Sequence, residues 1–149
     1  MQQIENKKAF LNYEILERAE AGIALKGAEV KSLREQRASI KESFARVENG
    51  EMFIYSFSIQ QYPNAREKID PLRKKKLLLK KNEIAWFRKK TEQKGLTIVP
   101  LSVYFNKRGL AKISIGLARG KQLYDKRSDI KKREIDREIE RKIKNRGAN

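Results

Sequence analysis

Cysteine and histidine are both missing from this sequence of 149 residues. Without cysteine no disulfide framework exists, which suits a reducing compartment. Without either residue a Cys/His zinc site and a Ser–His or Cys–His nucleophile pair are excluded. No apolar run approaches the ~20 residues that cross a bilayer as a helix. The opening Met1-Gln2-Gln3-Ile4-Glu5-Asn6 lacks the basic and apolar regions of a secretory leader, so a cytoplasmic location is expected, without a membrane partner. Acidic residues are scarce relative to basic ones, 19 against 36, for a net charge of +17. A surplus of that size opposes compaction unless a polyanion neutralises it, and nucleic acid is the first candidate. Clustered carboxylates for metal chemistry are not evident, and with no histidine base an RNA-cleaving enzyme is disfavoured. No cofactor, no metal site and no catalytic residue is expected.

What is present reads as a β-rich body followed by a basic tail. Tyr13 to Leu16 is a strand candidate, Glu20-Ala21-Gly22 a turn or bulge, and Ile23 to Leu25 a second short strand. Val30 and Leu33 suit a short helix over Ala28 to Glu35. Asn49-Gly50, between Phe44 to Val47 and Met52 to Tyr55, signals a hairpin with a type I′ turn, whose central residues both need positive φ. A β-like run continues from Phe57 to Tyr62. Arg66 to Lys81 is a connector with eight Lys/Arg and two acids. Asn82 suggests an N-cap for a helix from Glu83 to Lys94, and Gly95 its end. Thr97 to Phe105 and Leu110 to Leu117 are strands joined by a turn, with Ala111, Ile113 and Ile115 on one face and Lys112 and Ser114 on the other. About six short strands, two helices and no βαβ alternation point to a mainly β protein with a small OB-like antiparallel barrel.

From Arg119 the composition changes to twelve Lys/Arg, six acids and few apolar residues. Ile135, Ile139 and Ile143 fall at i, i+4, i+8, and Asp129/Arg133, Glu138/Lys142 and Glu140/Lys144 are spaced as helical ion pairs. One thin stripe does not hold a helix in water, so this segment is expected to be disordered when free and helical when docked. The expected division is therefore a body over residues 1–118 and a tail over 119–149.

Three blocks, in order, resemble the SsrA-binding protein (small protein B) family. They are Glu20 to Arg34, with Leu25-Lys26-Gly27-Ala28-Glu29-Val30-Lys31-Ser32-Leu33-Arg34 at its heart; Asp70-Pro71-Leu72-Arg73 with Lys75 to Leu79; and Gly116 to Lys121 with Tyr124-Asp125-Lys126-Arg127. The resemblance spans roughly Asn6 to Arg146. It implies an OB-like barrel with two or three flanking helices and a basic C-terminal tail. It implies one copy bound to the tRNA-like domain of tmRNA, delivering it to the A site of a stalled ribosome. The body would then stand in for the anticodon side of a tRNA, with the tail in the empty mRNA channel of the small subunit against its rRNA.

Asn6, Glu20 and Leu78 match family positions that contact tmRNA, and Lys7 and Lys8 match a basic pair beside the first of them. Arg73, Lys75 and Lys76 are the candidate phosphate contacts of the second block, the alternative being that the cluster from Arg73 to Lys76 is only a solvated loop. For the ribosome the candidates are Lys121, Tyr124, Asp125, Lys126, Arg127, Lys131, Arg133 and Ile135. Two positions depart from the pattern. Leu11 stands where many members have histidine, and Ile135, where some have an aromatic residue, offers no π face for stacking.

On physical grounds Glu20 suits an acceptor for a base edge or a 2′-OH, or else a solvated turn residue. Leu77 and Leu79 share one strand face, placing Leu78 opposite, either in the core or outward against a splayed base. Tyr55, Phe57, Tyr62, Tyr104 and Phe105 are either a stacking platform or, for most of them, core. A ribosomal or rRNA-binding structural protein, or a general RNA chaperone, would share these features and is the alternative function.

Overall fold

A computed structural model describes residues 3–121. In chain order the elements are β1 (Ile4–Glu5), α1 (Lys7–Asn12), β2 (Tyr13–Ile23), α2 (Gly27–Arg34), β3 (Ala38–Ser39), β4 (Phe44–Glu48), β5 (Glu51–Tyr55), β6 (Ser58–Ile59), β7 (Lys75–Leu78), α3 (Lys81–Thr91), β8 (Leu96–Phe105) and β9 (Ala111–Gly120). The protein is mainly β. Seven strands form one antiparallel sheet in the order β1-β8-β4-β5-β7-β2-β9, and β8 pairs with β9 as well. A small second sheet joins β3 to β6.

Alternation explains the core, with one change of phase in β8 at the Pro100/Ser102 irregularity. Ala21 and Ile23 of β2, Ala45 of β4, Met52 and Ile54 of β5, Leu77 of β7, Ile98 and Val103 of β8, and Ile113, Ile115 and Leu117 of β9 all turn inward, with Leu33 and Phe87 from the helices. In a strand, residues two apart share a face, so these positions leave their neighbours pointing out. The β4–β5 hairpin forms as expected: Asn49 and Gly50 take φ of 51° and 77°, both left-handed.

Four expectations about elements need correction. Glu20-Ala21-Gly22 is no turn but lies near the C-terminal end of one eleven-residue strand, continuously paired to β9 from Glu17 to Gly22. The run from Phe57 to Tyr62 pairs only at Ser58 and Ile59. Helix α3 begins at Lys81, because the Glu83 carboxylate reaches back to accept the Lys80 N–H at 2.9 Å, so Asn82 lies inside the helix. The pattern reading of two helices misses a third, α1, which falls within the two or three that the resemblance implies. It packs Ala9 with Tyr13 and Ile15 over Val99, Leu101 and Ala118, a second apolar cluster on the outer side of the sheet. Irregularities at Ile15/Glu17 and Pro100/Ser102 mark where the sheet passes from this covered part to an uncovered one.

Candidate nucleic-acid interface

Past those irregularities, the outer face of β7, β2, β9 and β8 lies open, and register fixes what it carries. Leu78 pairs with Gly22, Gly22 with Lys112, and Lys112 with Tyr104, making one row across four strands. The next row runs Glu20, Ser114, Ser102, Glu5. Direct partners stand about 5 Å apart on the same side of a sheet, so these residues share one surface.

Leu78 is 51% exposed, whereas Leu77 is buried and Leu79 packs against the core. Gly22 makes room for it: a Cβ there would lie 3.4 Å from the Leu78 Cβ and Cδ1, so the leucine rests over the glycine backbone. Beside it, the Tyr104 hydroxyl donates to the Glu20 Oε2 and ties the two rows together. Burial and then that carboxylate push the Tyr104 phenol up to about 12, so it stays a protonated donor at every physiological pH. Glu20 itself remains exposed. The face thus offers an acceptor already oriented by a phenol, an apolar side chain and a lysine.

The structure divides the cations of 73–76 by depth. Arg73 makes a bidentate pair with Glu29, Nη2 to Oε1 at 2.6 Å and Nε to Oε2 at 3.1 Å. Glu29 is only 3% exposed and caps α2 by accepting the Lys26 N–H at 2.8 Å. Burial alone would raise its carboxyl, but Arg73 and the Lys26 N–H overcome this and hold it below its ordinary value. Lys74 is exposed, 3.5 Å from Glu48, and Lys76 is half-buried, 2.6 Å from Glu51.

Lys75 departs from the expectation of a surface phosphate contact. It is 0% exposed, and its Nζ donates to the carbonyls of Phe57 at 2.7 Å, Pro71 at 3.3 Å and Arg73 at 2.7 Å. Desolvation lowers its ammonium to about 8. The reason is parity: Leu77 faces the core, and Lys75 is two residues away on the same strand.

Asn6 is likewise interior, 2% exposed. Its Nδ2 donates to the carbonyls of Ile40 at 3.1 Å and Pro100 at 2.9 Å, and its Oδ1 accepts the Ala9 N–H at 3.2 Å as the N-cap of α1. Both amide hydrogens are thereby used within the fold. What Asn6 does present is α1, with Lys7 exposed and Lys8 paired to Glu42. Leu11 on that helix is exposed too. The Lys121 N–H donates to the Asn12 carbonyl at 2.9 Å, which places Lys121 beside α1. Tyr124, Asp125, Lys126, Arg127, Lys131, Arg133 and Ile135, and the expected tail helix, lie outside the described residues.

Glu20 and Leu78, far apart in sequence, are thus brought onto one face, while Asn6, Lys75 and Arg73 hold the fold behind surfaces. Tyr104, which the sequence leaves between a stacking platform and the core, and Lys112, which it places on the face opposite Ile113, join the face. Their signal was available: Val103 and Phe105 point inward, which turns Tyr104 out, and Lys112 alternates with Ile113. Among the described residues no helix is long and apolar enough to cross a membrane.

An antiparallel sheet of strongly positive net charge, with an open face that mixes a lysine, an apolar side chain and an oriented acceptor, defines a nucleic-acid-binding protein. A family model described as SmpB protein matches residues 3–145. The SsrA-binding protein of Thermosipho melanesiensis is 54% identical over 140 residues, covering 93% of this chain and 95% of that one. The SsrA-binding protein of Thermus thermophilus is 51% identical over 138 residues, 92% and 96% of the two chains. The fold is similar to a solved structure described as "tmRNA-SmpB: a journey to the center of the bacterial ribosome", with a TM-score of 0.72, 49% identity, and 87% of this chain and 95% of that one covered. The chain belongs to the SmpB family.

Proposed function

We propose that this protein binds tmRNA and serves trans-translation, accompanying tmRNA into the A site of stalled ribosomes as a non-enzymatic, cytoplasmic RNA-binding partner. The observation that carries the reading is the likeness, across more than nine-tenths of the chain, to proteins named SsrA-binding protein. The open face supplies the physical means. Glu20, held by Tyr104, accepts from a base edge or a 2′-OH, Leu78 packs on an unstacked base of a looped RNA, and Lys112, Lys76, Lys7 and Lys8 neutralise phosphates. Arg73, Lys75 and Asn6 act as positioning residues. The additional β8–β9 pairing links the two ends of the run β8-β4-β5-β7-β2-β9, which supports reading the sheet as an OB-like barrel whose outer wall is the RNA face. The tail from residue 119 follows the vacant mRNA channel, with Lys121, Tyr124, Asp125, Lys126, Arg127, Lys131, Arg133 and Ile135 meeting the small subunit.

Competition binding at matched salt tests this, setting the tRNA-like domain of tmRNA against tRNA and rRNA fragments. Wild type should prefer the tRNA-like domain, and Glu20→Ala should weaken that complex by about tenfold while leaving the slope against log salt unchanged, because no phosphate contact is lost. Equal affinity for all three RNAs would point instead to an rRNA-binding structural protein or a general chaperone. Truncation before Tyr124 should leave the tRNA-like domain bound and abolish tagging of stalled products. A truncated protein that still supports tagging removes the tail from the mechanism.

A further inference from the structure

Strands β4 and β5 turn three aromatic rings outward. Ala45, Met52 and Ile54 fill the core from this hairpin, so Phe44, Phe53 and Tyr55 are not needed there, and each stays half-buried. Phe44 and Tyr55 are cross-strand partners, stacked with centroids 5.5 Å apart and planes at 18°. Cations cap the rings: the Arg46 guanidinium lies 5.3 Å from the centroids of both, and the Lys74 Nζ lies 4.4 Å from Phe53 and 5.9 Å from Tyr55. Glu48 accepts from the Tyr55 hydroxyl and lies 3.9 Å from Arg46 and 3.5 Å from Lys74, partly neutralised by both, while Glu51 holds Lys76 at the turn end. At the opposite end Phe44 walls a cleft of about 250 Å³ with Tyr13, Asn12, Lys41 and Ser43, roomy enough for one nucleobase.

We propose that the Phe44, Tyr55 and Phe53 ladder is a second RNA site that takes unpaired, purine-rich RNA by stacking. It lies on β4–β5, whereas Glu20, Lys112 and Tyr104 lie on β2, β9 and β8. Half-exposed rings lacking an apolar cover and interleaved with Arg and Lys are what single-stranded nucleic acid uses: every base has a π face, and guanidinium stacks on it as well. A regular duplex keeps its bases inside and offers the rings nothing. The net charge of +17 selects a polyanion over an apolar protein partner as the occupant. Purines stack more strongly than pyrimidines because their ring area is larger. The proposal stands independently of the tmRNA reading.

The test uses the full chain and fluorescein-labelled RNAs of about ten nucleotides, oligo(A), oligo(U) and a duplex, read by anisotropy at matched salt. The double variant Phe44→Leu with Tyr55→Leu removes two π faces and keeps apolar bulk. It should weaken oligo(A) binding by about tenfold or more, oligo(U) less, and the duplex by under about twofold. Arg46→Gln, at an exposed side chain, should weaken oligo(A) by a few-fold and lower its salt slope by about one. Neither change should alter binding of the tRNA-like domain, whereas Glu20→Ala should do the reverse, so the two readings fail separately. Equal losses for oligo(A) and duplex overturn the proposal, as does unchanged oligo(A) binding. If the double variant does not fold, Phe44→Leu and Arg46→Gln singly decide the matter: oligo(A) binding at the wild-type level in both also overturns it.

Discussion

Replacing Lys75 by methionine tests how the buried ammonium supports the basic segment. Methionine keeps the length of the stem and fills the same interior space, so the loss is confined to the head group. Three carbonyls then lose a donor. That of Pro71 keeps the Ile59 N–H at 3.0 Å, whereas those of Phe57 and Arg73 are left short. An unsatisfied buried acceptor costs about 1–3 kcal/mol, partly offset because a desolvated charge is removed with it, so the variant should be about 2–3 kcal/mol less stable at pH 7. The pH dependence is more diagnostic. The folded ammonium titrates at about 8, against 10.5 for the ordinary lysine of the unfolded chain. Between those values the unfolded chain binds the extra proton, so raising the pH stabilises the fold. From pH 7 to 9.5 wild type should gain about 2 kcal/mol relative to Lys75→Met, at 1.36 kcal/mol for each unit of difference. Urea unfolding of both proteins across that range measures it. A gap that stays constant, or a methionine variant as stable as wild type at pH 7, refutes the account of a desolvated but hydrogen-bonded interior lysine.

Two further perturbations separate position from contact. Asn6→Ala removes the N-cap of α1 and leaves the carbonyls of Ile40 and Pro100 without their donor, so it should cost about 2–4 kcal/mol in thermal or urea unfolding, more than a cap alone. A loss under about 0.5 kcal/mol would show that the fold does not depend on it. Gly22→Val puts a branched side chain against Leu78, which rests where a Cβ would stand 3.4 Å away. The strand should tolerate it while affinity for the tRNA-like domain falls by about tenfold, as for Leu78→Ala; wild-type affinity would mean that the seat of Leu78 is immaterial.

The sequence revealed the features that local chemistry determines. Asn49-Gly50 needs two left-handed residues, and the hairpin follows; Leu77, Leu78 and Leu79 obey a period of two, and the outward leucine follows. It concealed features that depend on a distant neighbour. Gly22 reads as a breaker in isolation, yet it sits in a strand paired on both sides, to β7 and β9, with Leu78 lying over it. Helix α1 has six residues and no periodic stripe of its own, and exists through the Asn6 cap and the cover it gives Val99 and Leu101. The four cations of 73–76 look equivalent until the parity set by Leu77 is carried back to Lys75. The same rule, carried along β8 from Val103, would have taken Tyr104 out of the core.

Those placements explain why an acid belongs on a face made for a polyanion. Cations distributed over a surface of net charge +17 attract any RNA, and their contribution falls with salt. Discrimination needs a group whose interaction depends on direction, and a lone exposed carboxylate would rotate freely and be solvated. Glu20 is restrained because the Tyr104 hydroxyl, kept protonated by burial and by that carboxylate, donates to one of its oxygens. An RNA donor meeting this pair finds an acceptor already oriented and loses less ordering entropy on binding than it would with a flexible side chain. Tyr104→Phe therefore ought to resemble a mild Glu20 variant, weakening the preferred RNA and sparing the others. A uniform loss across RNAs would assign the phenol to packing alone.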